Sequence, residues 1–369
     1  MTALMRESKN KLKLGTFSAN CSGGMAVTKV EERWNNNWEN NINLVKQCDD
    51  AGIEFMLPIA RWIGYGGEKD FHGNVLETVT WAAGLAAHSK NIQVFATVHT
   101  AFNHPIVTAK QLATLDQMSG GRLGLNVVAG WNKPEYDAFG KDLPGDHCDR
   151  YAMAQEWFDY VQKLWNEDKP FDWEGTFYQG KGVYSLPHPI QKRMPIINAA
   201  ASDEGRNFAM RNADFLFTPV FDFEQAAETV KDITARAASA QRTVDVLTFC
   251  TVVCRPTQKE ADDYLNWYAN ENADWEAVDN LMTLQGLHAQ SFPPEALSMF
   301  RDRFAAGHGG FPLVGTPDKI ADLLEQLSNT GIAGTTLSFV DYAKEFPYFR
   351  QEVMPRLERK GLRLPRQDS

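Results

Sequence analysis

The sequence predicts an α/β fold, a (β/α)8 TIM barrel with insertions, and three observations carry that expectation. Eight apolar runs of strand length are separated by stretches with helical spacing. The segments past the carboxyl ends of those runs collect glycine, aromatic, amide and charged residues, and that end is where ligands bind in parallel α/β folds. The length of 369 residues, 43% hydrophobic and 23% charged, suits a barrel of roughly 250 residues with additions. Residues 1–369 are therefore expected to form a single domain with insertions near 170–194 and 273–312.

Residues 12–19 are the first apolar run, followed by a polar, glycine-rich segment, 20–37, too irregular for a regular element. Residues 38–51 place Ile42, Val45 and Cys48 at helical spacing, and Gly52 stops that helix. The second strand, 55–59, runs into a loop that mixes Arg61, Trp62 and Tyr65 with glycines. Residues 76–87 form a helix of small side chains able to lie close on a sheet, and 92–97 is the third strand. Beyond it, residues 98–105 are again polar and aromatic, and Pro105 suits the first turn of a helix with Ile106, Ala109, Leu112 and Ala113 on one face.

Strand four draws the pattern together. After the turn Ser119-Gly120-Gly121, residues 122–129 form an apolar run with Asn126 at its centre, and Gly130 opens the loop Trp131-Asn132-Lys133-Pro134-Glu135-Tyr136. Asp149 stands where an N-cap would, ahead of an apolar stripe of Tyr151, Ala154, Phe158, Val161 and Trp165. A two-strand excursion is expected at 175–178 and 182–186, and strand five at 195–200 leads into Ala201-Ser202-Asp203-Glu204-Gly205, a hydroxyl among small residues at a helix start. Strands six and seven, 214–218 and 246–254, flank a helix at 223–240. Residues 273–312 break the alternation, end as loop and turn, and stand in the position of a lid, with Arg301 and Arg303 as candidate anion contacts or solvated surface. A helix at 316–327 opens with Thr316-Pro317-Asp318, strand eight is 335–340, and 347–362 is a terminal helix.

Composition excludes several classes. A net charge of −10 argues against nucleic-acid binding, which needs a basic face to displace counterions. No window approaches the apolar length of a membrane span or a signal peptide, so a cytoplasmic protein is expected. The cysteines, Cys21, Cys48, Cys148, Cys250 and Cys254, are odd in number and without a Cys-x-x-Cys pair, the pattern of reduced, buried thiols. No Walker pattern and no Gly-x-Gly-x-x-Gly occurs.

The candidate site residues cluster after strands. Thr97 and Asn126 lie at or near the ends of neighbouring strands, where they face one point in the mouth, serving either a ligand or a buried hydrogen-bond network. Arg150, Tyr151 and Ser202 stand at helix starts, where a cation, a phenol, a hydroxyl and free backbone amides suit a phosphate; for Arg150 the alternative is solvated surface. His72, His99, His104 and His147 raise the question of a metal, but no His-x-His follows the first strand, and polar contacts from His99 and His104 to a substrate fit better, so no metal is expected. Trp62, Phe102, Trp131 and Phe221 all follow strands, the place for the walls of an apolar pocket.

The run from Ser119 to Trp131, then Pro134-Glu135-Tyr136, Asp149-Arg150-Tyr151 and the stretch Gly310-Phe311-Pro312-Leu313-Val314-Gly315-Thr316-Pro317 resemble the bacterial-luciferase-like, flavin-dependent monooxygenases. The order of motifs is most similar to the branch holding pyrimidine monooxygenase, the dimethylsulfone monooxygenases and the sulfone-cleaving dibenzothiophene enzymes. The resemblance implies a barrel that binds reduced FMN from a separate NADH-dependent flavin reductase, works as a dimer or tetramer, and oxygenates or cleaves a small sulfone, sulfonate, cyclic amide or carbonyl compound. By position it implies that Ala60 and Arg61 flank the flavin ring, that Asn126 and Glu135 contact the flavin region, and that Arg150, Tyr151 and Ser202 take the phosphate and ribityl chain. Thr97 and Asn126 match the pair that holds dioxygen beside the flavin, and His99 or His104 would move a proton or polarise the substrate. The alternatives are a deazaflavin-dependent dehydrogenase of the same superfamily, a flavin-binding protein without catalysis, and a metal-dependent barrel hydrolase.

Overall fold

Side chains alternate along each barrel strand, and the alternation sorts the core into an inside and an outside. The computed structural model describes residues 4–144, 147–200, 202–287 and 294–365; the side chains of 147, 148 and 294–296 lie outside that description, and with them the readings of His147 and Cys148. β1 (Lys13–Phe17) is followed by a long connection and α1 (Trp38–Asp50), β2 (Phe55–Leu57) by α2 (Thr78–Ala87), and β3 (Gln93–His99) by α3 (Pro105–Ser119). β4 (Leu123–Val128) is followed by the short α4 (Lys133–Ala138) and the long α5 (His147–Asn166). An antiparallel hairpin of β5 (Phe171–Glu174) and β6 (Gln179–Val183) precedes β7 (Ile196–Ala199), α6 (Asp203–Asn212), β8 (Phe215–Phe217), α7 (Phe223–Ser239) and β9 (Asp245–Cys254). Then come α8 (Gln258–Asn266), a π-helical turn (Trp267–Glu271), α9 (Trp275–Leu284), α10 (Pro294–Gly307), β10 (Phe311–Gly315), α11 (Pro317–Asn329), β11 (Gly334–Ser338), α12 (Tyr342–Glu352) and α13 (Met354–Arg359).

Eight strands close the barrel, all parallel, in the order β9, β11, β1, β2, β3, β4, β7, β8, with β8 returning to β9. The inside is filled by Phe55, Leu57, Phe95, Ile197, Phe215, Phe217 and Leu247. Two interior positions have to be glycine because rings occupy the space. A Cβ on Gly15 would come within 2.6 Å of the Phe55 ring, and one on Gly124 within 2.3 Å of Phe95. The opposite faces of the strands, among them Val94, Ala96, Leu125 and Val127, pack outward on the helices.

The floor of the barrel is tied by one buried carboxylate. Glu54, 1% exposed, accepts from the Leu14 amide at 2.9 Å and from Arg363 Nη1 at 2.8 Å, and Arg363 also donates to the carbonyls of Leu12 (3.1 Å) and Gly52 (2.7 Å). Arg363 is thereby fastened to the segments that lead into β1 and β2.

Several sequence expectations change here. Within 273–312 two helices are regular: α9 and α10 carry Val278, Leu281, Leu297, Phe300 and Phe304 on a face that packs with Tyr65 and Phe71, and the spacing of α9 was hidden by its short length and uncapped start. The stretch at 311–315 is a ninth strand. Residues 245–247 of β9 pair with β8, and 250–254 of the same strand pair with β10, so β10 takes over the edge that the three-residue β8 leaves free. The hairpin strands lie a few residues before the expected positions, because Glu156 holds the backbone amides of Thr176, Phe177 and Tyr178 as the turn. α5 begins at His147, before Asp149, and the terminal helix divides into α12, with Pro347 inside it, and α13. The opening of α11 matches the capping pattern, Thr316 accepting from the Lys319 amide.

Candidate active site

In the β3–β4 ladder Thr97 stands opposite Asn126, and both side chains fall on the inward face two residues above the glycine and phenylalanine layer. Asn126 Nδ2 donates to Thr97 Oγ1 at 3.2 Å, and Thr97 Oγ1 donates to the Pro58 carbonyl at 2.6 Å. A hydroxyl has one proton, and Thr97 gives it to Pro58, so Thr97 has only a lone pair to offer Asn126. That fixes the amide: its NH2 faces Thr97, and Oδ1, buried, has no partner. An unpartnered buried acceptor is a cost that a ligand removes.

Above this pair sits a buried ion pair. Glu135 of α4, 1% exposed, accepts through Oε1 from Arg61 Nη1 at 3.0 Å and from the Trp62 amide at 2.8 Å. Arg61 lies over the rings of Tyr65 (4.9 Å) and Trp131 (5.3 Å), and its buried Nε makes no hydrogen bond. His99 Nδ1 is 3.8 Å from Glu135 Oε2. Burial, with the Arg61 guanidinium nearby, lowers the His99 pKa to about 3, so the ring is neutral. Thr97, His99, Ala60, Arg61 and Trp62 help line a cavity of about 50 Å³ at this place.

Two aromatic walls flank the pair. On one side the half-exposed Trp62 meets Phe139 edge-on at 5.3 Å, Phe139 stacks on Phe102 at 4.4 Å, and Phe102 meets Tyr136 (4.9 Å) and His99 (5.4 Å). On the other, Tyr65, Phe71, His72 and His308 form a packed group, with Phe71 stacked on His72 at 3.9 Å and His308 at 6.0 Å from His72. His72 Nε2 is 2.6 Å from the Gly24 carbonyl. Burial holds His72 well below its ordinary pKa, helped by His308, and lowers His308 to about 3, helped by Arg61.

A second polar cluster lies between α5 and α6. Ser202 caps α6, its Oγ accepting from the Gly205 amide at 3.2 Å. The Tyr151 hydroxyl lies against Gly205, where a Cβ would come within 2.4 Å of it. Burial pushes the Tyr151 phenol up to about 12, which keeps it a donor. Arg150, one residue earlier and 7% exposed, donates to the Pro144 carbonyl at 3.1 Å. Of the two acids in the first turn of α6, Asp203 is turned to Arg236 at 3.0 Å. Ala201 lies outside the described residues.

The structure thus brings Thr97, Asn126, His99, Arg61, Ala60, Glu135, Trp62, Phe102 and Trp131 to one mouth, and Tyr151 onto Gly205, whose amide Ser202 caps. Two residues stand apart. His104 is exposed, caps α3 by accepting from the Ile106 amide at 3.3 Å, and meets Tyr178 edge-on, which leaves its ring employed as a helix cap. Phe221 packs on Phe300 at 5.4 Å and under the Arg303 guanidinium at 5.2 Å, so it belongs to the seam with α10. Arg301 and Arg303 are neither free surface nor free anion contacts: Arg301 pairs with Asp279, and Arg303 donates to the carbonyls of Phe221, Val220 and Gly310. Missed in the sequence were Tyr65, Phe139 and His308, whose signal was an aromatic or imidazole ring set among glycines. Among the described residues no three His, Cys, Asp or Glu side chains could hold a metal ion, and no helix is long and apolar enough to cross a membrane. Cys21, Cys48, Cys250 and Cys254 are buried and free.

Comparison with known proteins adds the following. The family pattern of the luciferase-like monooxygenases matches residues 12–334. An FMNH2-dependent dimethylsulfone monooxygenase of Pseudomonas putida is 31% identical over 353 residues, 93% of this chain and 94% of that protein. A pyrimidine monooxygenase of Acinetobacter baylyi is 29% identical over 351 residues, again 93% and 94%. Among solved structures, DmoA from Hyphomicrobium sulfonivorans superposes with a TM-score of 0.86 at 22% identity, covering 98% of this chain and 90% of that one. At that identity the last comparison speaks to the fold alone.

Proposed function

The chain belongs to the luciferase-like monooxygenase family, and from that membership we propose that it is the oxygenase of a two-component system, taking FMNH2 from a separate NADH-dependent reductase in the cytoplasm. It is a flavin-dependent monooxygenase, and FMN is its cofactor. The dimethylsulfone and pyrimidine enzymes it resembles set the range of substrates to search: small sulfones, sulfonates, cyclic amides and carbonyl compounds.

The residues fit that cofactor. A mononucleotide has a phosphate, a polyol chain and a flat ring that both donates and accepts. The start of α6 with Ser202, the protonated Tyr151 and the buried Arg150 suit the phosphate end. The orphaned Asn126 Oδ1 and Arg61 Nε suit the polar edge of the ring, between the Trp62 and Trp131 walls. When bound, the reduced flavin supplies the electrons that activate dioxygen. This chain's own part is orientation and exclusion of water. Asn126, held by Thr97, offers one oriented polar edge at the mouth. Arg61, neutralised by Glu135, closes the ring side without adding net charge, and the Trp62, Phe139 and Phe102 wall keeps solvent out.

The observation that carries this reading is the Thr97–Asn126 pair, rigid, buried and left with one free acceptor where a barrel binds its ligand. The chain has no Gly-x-Gly-x-x-Gly of its own to hold a nicotinamide dinucleotide, which supports delivery of the reduced flavin by a partner. Val107 and Met118 on α3 lie 56% and 61% exposed, and α3 is tied by Lys110 to the Leu186 carbonyl and by Gln117 to the His188 carbonyl, in a segment whose Leu186 and Ile190 are also exposed; these apolar groups support a homodimer or homotetramer. The test is calorimetry with FMN and FMNH2, then turnover of the substrate panel with a flavin reductase under 18O-labelled dioxygen. Uptake of FMN and label in the product is the expected result. No flavin binding in either redox state, or full turnover without dioxygen, overturns the reading.

A further inference from the structure

His99 stands two residues beyond Thr97 on the same inward face of β3, opposite Val128 at the last rung of the β3–β4 ladder. Two nitrogen atoms decide what it offers a substrate. Nδ1 is buried without a hydrogen bond, and the nearest charge is Glu135 Oε2 at 3.8 Å. Glu135 Oε1 is already taken by Arg61 and the Trp62 amide, so Oε2 is the oxygen left to face the imidazole. Nε2 is not among the fully buried atoms and has no partner among the described residues, and the ring lines the cavity.

A neutral imidazole carries one proton, on one nitrogen or the other. A lone pair turned toward a carboxylate oxygen is repelled, whereas an N–H is attracted. The proton therefore sits on Nδ1 and the lone pair on Nε2. Burial keeps the second proton off. Asn126 Oδ1, two residues deeper on the neighbouring strand, and Arg61 Nε are also unpartnered, and the flavin reading gives both to the ring edge, while the charge of Arg61 is balanced by Glu135.

We propose that Glu135 is a positioning residue that locks His99 in the Nδ1–H tautomer, so that Nε2 faces the mouth as a hydrogen-bond acceptor and selects a small uncharged substrate bearing an N–H or O–H donor. The substrate half of this inference rests on the monooxygenase reading; the tautomer half does not. It divides the search range, favouring amides and hydroxyl compounds over sulfones and sulfonates, which bring only acceptors to the Nε2 lone pair of His99.

The tautomer is read directly. In the full-length protein labelled with 15N-histidine, long-range 1H–15N spectra distinguish protonated from bare ring nitrogens, and comparison with His99→Asn assigns the His99 signals. A protonated Nδ1 and bare Nε2 are expected in the wild type; a protonated Nε2, or an imidazolium at neutral pH, overturns the proposal. Glu135→Gln is expected to give a mixture of tautomers and Glu135→Asp to restore the single one, and an unchanged spectrum in Glu135→Gln overturns the positioning role. Should Glu135→Gln fail to fold by circular dichroism, the wild-type spectrum still decides. These spectra use no flavin, so their failure is separate from a failure of FMN to bind. In the substrate panel, methylating the donor of the best substrate is expected to lower kcat/KM about tenfold or more in the wild type and to matter little in His99→Leu. A best substrate without any N–H or O–H, dimethylsulfone included, overturns the substrate class.

Discussion

At Asn126 one amide is asked to satisfy two demands, a donor to Thr97 and an acceptor into the mouth, and only the first is met within the protein. Asn126→Ala removes the acceptor and loosens Thr97, so product formation is expected to fall by roughly a hundredfold or more, the scale of losing one oriented polar group at a reacting centre. FMN affinity, measured by calorimetry, is expected to stay within severalfold, because the phosphate end is held elsewhere; unchanged product formation would refute the assignment. Arg150→Met is the complementary change. If Arg150 holds the phosphate as proposed, losing that charged hydrogen bond is expected to weaken FMN binding in the same calorimetry by about 1.5–3 kcal/mol, with a weaker salt dependence. At this scale the sequence was legible where a residue's place depends on strand alternation, as for Thr97 and Asn126. It was not legible where a role depends on a partner far along the chain: Arg61 and Glu135 are 74 residues apart and meet through a loop and a helix start. For His104 the sequence did not distinguish a site residue from a helix cap, because a histidine before Pro105 can serve as the cap, the place it takes in the structure.

Among the elements, α10 packs on Tyr65 and Phe71 and accepts from the Val27 amide and the Tyr268 hydroxyl, and one arginine ties it to the strand ends. Arg303 reaches the carbonyls of Val220 and Phe221 after β8 and of Gly310 before β10, and burial lowers its pKa without displacing it from these three oxygens. Arg303→Met is expected to ease local opening of α10 by about 1–3 kcal/mol, read as ten- to hundredfold faster amide exchange there while the barrel strands stay protected. Equal loosening of β3 and β4 would show that the helix and the barrel open together. The barrel helices were readable from their stripes because each is long enough to repeat its period. The hairpin and α9 are short, and their positions follow from tertiary partners, Glu156 for the turn and Tyr65 for the helix, that no local window contains.

For the molecule as a whole, buried histidines set an acid limit. His72, His99 and His308 all bind a proton less readily when folded, because burial disfavours the cation. As pH falls through about 6.5 the unfolded chain takes up protons that the folded one refuses, so stability from this source is complete above that value and is lost toward about pH 3, where His99 and His308 titrate. Each contributes a slope of about 1.4 kcal/mol per pH unit within that window. Urea unfolding at pH 7.5, 6 and 5 is expected to give a steadily falling stability, and His308→Gln a shallower fall; an identical slope would remove His308 from the account. The floor of the barrel behaves differently. Glu54→Gln leaves Arg363 buried without its carboxylate and is expected to cost about 3–5 kcal/mol at neutral pH, measured by the same unfolding.

The short β8 and the borrowed edge of β9 have one more consequence. The cylinder is already sealed by β8 on β9 before β10 arrives, so everything strung between those two later strands hangs like a bracket bolted to a finished wall. Shortening or lengthening that bracket is therefore expected to leave Thr97 and Asn126, on the far side of the ring, in their posture.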